Sequence, residues 1–167
     1  MTVLIVEDQL DSLENVKEIL EKREFTVLHA ENLHEAKELF EKNLTLIDAI
    51  VTDLNMHPKF IAKKNEQLQE SCGSNFAGWV WLKYYVFKDY PAFLKKTALR
   101  SAYIGELEAH LRYKDEEKDR LALVKKIERR NDSLCEELLP WLQSLKKKIH
   151  KPHGMKSRLH NLRNRRR

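Results

Sequence analysis

Five side chains of kinds that handle phosphate and divalent cations stand at or near the ends of short apolar runs in this sequence: Glu7, Asp8, Asp53, Ser101 and Lys125. Carboxylates gathered in one place repel, and each raises the pKa of the others unless a cation joins them. Hard oxygen ligands with room left for water suit Mg²⁺, which commonly bridges carboxylates to phosphate. The set therefore predicts a site for a phosphoryl group beside Mg²⁺, in which a carboxylate oxygen is the candidate nucleophile.

Asp53 is the central residue of this prediction. It follows the apolar and β-branched residues Ile50, Val51 and Thr52. Interior strand positions exclude carboxylates unless the charge is paired or liganded. We therefore expect Asp53 at the end of a buried strand, facing a cleft.

Alternating strand and helix patterns must position these residues. Apolar runs predict strands at 2–6, 25–30, 46–52, 97–104 and 121–125. Helical spacing predicts helices at 9–23, 33–40, 77–88 and 106–119, and a last helix capped by Asp132 or Ser133. This pattern indicates an α/β fold: a flavodoxin-like, doubly wound (βα)5 parallel sheet with strand order 2-1-3-4-5. Ligands of such sheets bind beyond the carboxyl ends of the strands, where the predicted site residues lie.

Charge divides the chain into a body and a tail. We predict one domain at 1–149, with an inserted loop at 57–76, and a basic, disordered tail at 150–167. The net charge is +5, although 138–167 contains ten Lys and Arg and no acidic residue. A charge run is most often a solvated end. The alternatives are that the tail folds back on the acidic body or binds a polyanion such as nucleic acid weakly and without sequence preference, through Lys156, Arg158, Arg163, Arg165, Arg166 and Arg167.

Cysteine usage and hydropathy indicate the compartment. No apolar run approaches membrane-spanning length, and the sequence opens into a strand pattern without a basic leader, so we expect a cytoplasmic protein with no membrane span. Cys72 and Cys135 lack the spacing of a metal site or a disulfide framework.

The motifs resemble the receiver domain of two-component response regulators over residues 1–146. The matching segments are VLIVED at 3–8, VTDLNM at 51–56, Ser101-Ala102, and LVK at 123–125. The resemblance implies that Asp53 is the phosphoacceptor and that Mg²⁺ is held by Glu7, Asp8, Asp53 and the backbone carbonyl of Asn55. It also implies that Ser101 is the switch hydroxyl and that Lys125, or less favourably Lys126, pairs with the phosphoryl group.

The resemblance also implies partners. A histidine kinase or phosphotransfer protein donates the phosphoryl group, and the output is contact with a downstream protein. Enzymatic activity is limited to self-catalysed phosphoryl transfer to Asp53 and its hydrolysis. The long loop, Lys126 in place of a proline, and Ala122 where an aromatic residue is usual depart from the pattern. They favour the alternative of a receiver-like binding module that does not switch by phosphorylation and acts through the loop or the tail.

Overall fold

The computed structural model describes residues 1–57, 75–129 and 134–149, and within them the side chains of 10–12, 134 and 135 are not described. Five parallel strands form one sheet in the order β2-β1-β3-β4-β5, which confirms the predicted order. The strands are β1 (Thr2–Val6), β2 (Thr26–Ala30), β3 (Ile47–Thr52), β4 (Thr97–Ser101) and β5 (Lys125–Glu128).

Helices connect the strands in the described part of the chain. They are α1 (Leu10–Glu21), α2 (Leu33–Lys42), α3 (Ala77–Trp81), α4 (Ile104–His110), α5 (Asp115–Leu123) and α6 (Leu139–Ile149). Three shorter segments adjoin them: a π-helical continuation of α3 (Leu82–Phe87), a 3-10 helix (Pro91–Lys96) and a π-helical turn before α6 (Leu134–Leu138).

Local sequence explains the start of α2. The side-chain oxygen of Asn32 accepts hydrogen bonds from the backbone N–H groups of His34 at 3.1 Å and Glu35 at 2.9 Å. These contacts satisfy two of the donors that a helix N-terminus leaves without intrahelical partners. The Asn32 cap therefore fixes where α2 begins after β2.

The sheet separates two apolar layers. On one face, α2 and the tryptophan-rich α3 pack with residues of α4 and α5, and Trp79 and Trp81 are buried. On the other face, α1 and α6 pack over a layer that we call the α1/α6 core, whose strand residues are Val3, Ile5, Ala49, Val51, Ala98 and Ile127. Successive side chains of a strand point to opposite faces, so each strand contributes to both layers.

Three of the sequence predictions are wrong in part or in full between 97 and 128. The strand predicted at 97–104 ends at Ser101, and Ile104 is the first residue of α4. The predicted helix at 106–119 is two helices, α4 and α5, separated by a turn at 111–113. The predicted strand at 121–125 is also wrong, because Leu121–Leu123 are the last residues of α5 and β5 begins at Lys125. Leu121 and Val124 are buried, so the apolar run belongs to the helix end and the following turn rather than to a strand.

Several predictions lie outside the described residues. These are most of the inserted loop, the caps Asp132 and Ser133, and the tail at 150–167. In the part of the chain that the structure describes, no helix is both long enough and apolar enough to cross a membrane.

Phe40 provides a test of the packing under α2. Its ring lies edge-on to Trp81, Tyr90 and Phe93, with ring centroids 5.3–6.5 Å apart, and it is 1% exposed. We expect Phe40→Ala to lower the free energy of unfolding by about 3–5 kcal/mol, because it removes buried apolar surface and leaves a cavity. Urea denaturation measures the change. The control is Leu46→Ala, at a side chain 62% exposed, and equal losses in the two variants would contradict the packing described.

Candidate functional site at the carboxyl ends of the strands

Parallel pairing brings the carboxyl ends of β1, β3, β4 and β5 to the same end of the sheet. Val6 is in register with Thr52, and Ser101 with Glu128. Backbone hydrogen bonds extend the ladders one residue further, from Asp53 N–H to the Val6 carbonyl at 3.0 Å and from Arg129 N–H to the Ser101 carbonyl at 3.3 Å. The residues that follow β1, β3 and β5 are therefore neighbours in space.

Strand alternation places four charged side chains at the edge of the α1/α6 core. Each stands two positions after a strand residue of that core: Glu7 after Ile5, Asp53 after Val51, Arg100 after Ala98, and Arg129 after Ile127. Because side chains repeat their direction every second residue, all four share one face of the sheet. Two carboxylates and two guanidinium groups meet there, and we call these four residues the charge cluster.

Asp53 is held on both oxygens. Its Oδ1 accepts a hydrogen bond from the backbone N–H of Asn55 at 3.1 Å, and its Oδ2 accepts one from Nη1 of Arg129 at 3.3 Å. The side chain is 3% exposed. Asp53 thus follows the buried strand β3, as expected, and its charge is paired with that of Arg129.

Glu7 is bound by the other end of the same guanidinium group. Its Oε2 pairs with Nη2 of Arg129 and lies 3.7 Å from Nη1 of Arg100, and its Oε1 accepts from the backbone N–H of Gln9 at 3.2 Å. Burial raises the pKa of Glu7, the Arg129 charge opposes this, and the Asp53 charge adds to it, so that the net direction is upward. Burial and the neighbouring Arg129 charge lower the pKa of Arg100.

Asp8 follows Glu7 of the charge cluster in the sequence, and it is exposed to solvent. Partial desolvation of its carboxyl group raises its pKa, and the Asp53 charge raises it further.

The predicted hydroxyl is buried and on the neighbouring strand. Ser101 ends β4, as expected, and its Oγ accepts from the backbone N–H of Tyr103 at 3.4 Å. It stands two positions after Leu99, which belongs to the layer on the opposite face from the α1/α6 core. Its role as the switch hydroxyl stays a prediction.

The predicted cations are elsewhere. Lys125 begins β5 opposite Ala98 and pairs with Glu137 at 3.0 Å, while Lys126 pairs with Glu108 at 2.7 Å. At about 3.3 Å per residue, Lys125 is displaced from Arg129 by roughly 13 Å along the strand. The structure brings neither lysine to Asp53, and it places Arg129 there instead.

Arg129 could have been found from a weaker signal. In Lys-Lys-Ile-Glu-Arg, a single apolar residue, Ile127, alternates with charges, which is typical of a short edge strand. Residue 129 is then the first beyond the strand end.

The site does not fit a metal ion as these side chains are arranged. Among the residues that the structure describes, no group of three or more His, Cys, Asp and Glu side chains could hold one. Oε2 of Glu7 and Oδ2 of Asp53 are both bound to the Arg129 guanidinium group. The Mg²⁺ site and the carbonyl ligand of Asn55 stay predictions.

Comparison with solved structures identifies the fold. A response regulator receiver domain from Clostridium thermocellum superimposes with a TM-score of 0.59 at 19% identity, over 89% of this chain and 97% of that one. The non-phosphorylated HemR receiver domain from Leptospira biflexa gives a TM-score of 0.58 at 21% identity, over 92% and 98% of the two chains. A two-component response regulator from Clostridium difficile gives a TM-score of 0.58 at 16% identity, over 90% and 99%.

At these identities the likeness establishes the fold, which is that of receiver domains. No family model matches the chain, and a search of curated proteins finds no match.

Gly78 tests how closely α3 must approach the site. A Cβ added there would lie 1.9 Å from the Asp53 carbonyl oxygen, and the Gly78 N–H donates to the Leu54 carbonyl at 3.0 Å. We expect Gly78→Ala to push α3 away from the end of β3 and to lower the free energy of unfolding by about 1–3 kcal/mol, since overpacking forces backbone shifts. Chemical denaturation and the backbone amide spectrum around Asp53 are the measurements.

The matched control is Gly105→Ala in α4, where an added Cβ meets nothing within 4 Å. Alanine favours a helix over glycine, so this variant should be neutral or more stable. Equal destabilisation by the two substitutions would contradict the close approach at Gly78.

Glu7 predicts a pH dependence of stability. Because its pKa is raised in the folded protein, the folded state holds more protons than the unfolded state at pH values just above the ordinary glutamate pKa. The free energy of unfolding therefore falls as the pH rises through that window. Glu7→Gln should remove this part of the slope, whereas Glu106→Gln, at an exposed position of α4, should keep it. Denaturation series across pH measure both slopes, and an unchanged slope in Glu7→Gln would refute the assignment.

Proposed function

We propose that the chain is a receiver protein of two-component signalling that accepts a phosphoryl group on Asp53. The observation that carries the proposal is the placement of Asp53: a buried carboxylate at the end of the central strand β3, with a guanidinium group 3.3 Å from one of its oxygens. Buried carboxylates with specific charge partners in a cleft are characteristic of functional sites.

The chemistry assigned to Asp53 is nucleophilic. A carboxylate oxygen attacks the phosphorus atom of the donor, a new oxygen–phosphorus bond forms, and the bond to the leaving group breaks with its electron pair going to that group. Attack of water on phosphorus reverses the modification and restores the carboxylate. Arg129 donates a hydrogen bond to Asp53 and so can hold that side chain in position. Its N–H groups can then donate to a phosphoryl oxygen, since guanidinium groups bind phosphate through paired N–H donors.

Arg129 thus takes the role that the sequence assigned to Lys125. Ala122, where the resemblance expects an aromatic residue, stands three residues before Lys125. Counted back from Arg129 instead, the equivalent position is Lys126, so the aromatic residue is absent with either cation. A histidine kinase or phosphotransfer protein as donor, Mg²⁺ as cofactor and a cytoplasmic location are the finer parts of the proposal, and they rest on the resemblance of the motifs.

The output surface we assign to this function lies around α4, α5 and β5. A groove of about 500 Å³ is lined by one face of α4, one face of α5 and Lys126. The Lys126–Glu108 ion pair joins β5 to α4 beside it. Ser101 is in register with Glu128 of β5, the strand whose Lys126 lines this groove, so β5 connects the two.

One observation favours the second candidate, a receiver-like binding module that does not switch by phosphorylation. Arg129 already neutralises Asp53 and Glu7 without a phosphoryl group. If this arrangement is permanent, Asp53 is a structural ion-pair partner and accepts nothing.

Intact-mass measurement after incubation with a small-molecule phosphodonor and Mg²⁺ separates the two candidates. We expect the wild type to gain the mass of one phosphoryl group and Asp53→Asn to gain none. Lys125→Gln should behave as the wild type, because Lys125 pairs with Glu137 away from the site. An unmodified wild type, or the same adduct on Asp53→Asn, would contradict the proposal and leave the non-switching module.

A further inference from the structure

The charge cluster contains its own cations. Arg129 and Arg100 both approach Oε2 of Glu7, and Arg129 also reaches Asp53 and donates to Oε1 of Gln9 at 3.1 Å. One guanidinium group therefore binds side chains that follow two different strands. The planar group with its several N–H donors suits such bridging, whereas the point charge of a lysine does not.

Burial makes this pairing necessary. The side chains of Glu7 and Asp53 are 5% and 3% exposed, and that of Arg129 is 22% exposed. Two buried carboxylates side by side would each lose hydration and repel the other, so an ionised pair requires a cation between them. In the described structure that cation is Arg129.

We propose that Arg129 is the resident cation of this site and that a divalent cation binds the carboxylates only by displacing it. The proposal rests on Asp53 being the functional carboxylate, as argued above. It reassigns Glu7, which the sequence placed among the Mg²⁺ residues, as the residue that positions Arg129 over Asp53.

A divalent cation and Arg129 compete for the same carboxylates because both are positively charged. With Asp8 included, three carboxyl groups and two guanidinium groups meet here, so at most one negative charge is left without a matching cation. A divalent ion added beside Arg129 and Arg100 would be repelled by both guanidinium charges. Either Arg129 leaves, losing its contacts with Glu7 and Asp53, or the divalent ion does not bind.

The test is a titration of the full-length protein with Mg²⁺ alone, followed by NMR shifts of the backbone amides next to Asp53. We expect Arg129→Gln to bind Mg²⁺ at least about tenfold more tightly than the wild type, because the competing charge is gone. Arg129→Lys, which keeps a charge but loses the bridging geometry, should fall between them. Lys125→Gln removes a cation from the same strand and should match the wild type.

A second measurement protects against a loss of stability in Arg129→Gln. Mg²⁺ should raise the melting temperature of that variant more than that of the wild type, because at a given concentration a ligand that binds the folded state more tightly stabilises it more. Adding Asp53→Asn to Arg129→Gln should reduce both effects. Equal Mg²⁺ affinity in the wild type and Arg129→Gln, or no binding by folded Arg129→Gln, would overturn the proposal.

These outcomes are independent of phosphorylation. Equal Mg²⁺ affinities together with a phosphoryl adduct on Asp53 would refute the resident cation and keep the proposed function. Tighter Mg²⁺ binding by Arg129→Gln without any adduct on the wild type would support the resident cation and refute the phosphoacceptor.

Discussion

The ion pairs of Arg129 with Glu7 and Asp53 are the interaction on which the candidate site depends. They join residues that follow β1, β3 and β5, and so connect two inner strands to the edge strand β5. A carboxylate that ends a buried strand is costly to desolvate, and two neighbouring ones are costlier. The guanidinium group offsets that cost, and breaking one such pair leaves the other charge buried without compensation. The geometry of the site and the stability of this end of the sheet are therefore coupled.

The same alternation that builds the core builds the charge cluster. Ile5, Val51, Ala98 and Ile127 fill the α1/α6 core, and the residue two positions further on each strand is charged. The apolar layer thus ends in a polar cap at the carboxyl edge of the sheet, which is where ligands of this architecture bind. Gly78 brings α3 against the backbone of Asp53 on the same edge, so its lack of a side chain is a packing requirement.

Much of the fold followed from periodicity, and the main error had a physical cause. Strands β1 and β3 are mostly buried and apolar, β2 is a partly buried edge strand, and the positions of all three were predicted to within one residue. Strand β5 is an edge strand with one buried residue, Ile127, while the stronger apolar signal at 121–124 comes from the end of α5. The sequence therefore placed the strand four residues too early and named Lys125 as the cation. Glu7 and Asp53 follow their strands and Ser101 ends β4. The alternating pattern of β5 could place Arg129 beyond the strand end, but its pairing with Glu7 and Asp53 is visible only in three dimensions.

The most direct test of the bridging role is the NMR signal of the Arg129 guanidinium group in the full-length protein. If Arg129 is clamped between Glu7 and Asp53, rotation of its guanidinium group is slowed and separate Nη signals are resolved. They should merge in Glu7→Gln and in Asp53→Asn, because either substitution removes one half of the clamp. Averaged Nη signals in the wild type, like those of the exposed Arg112, would contradict the assignment of Arg129 as the cation of this site.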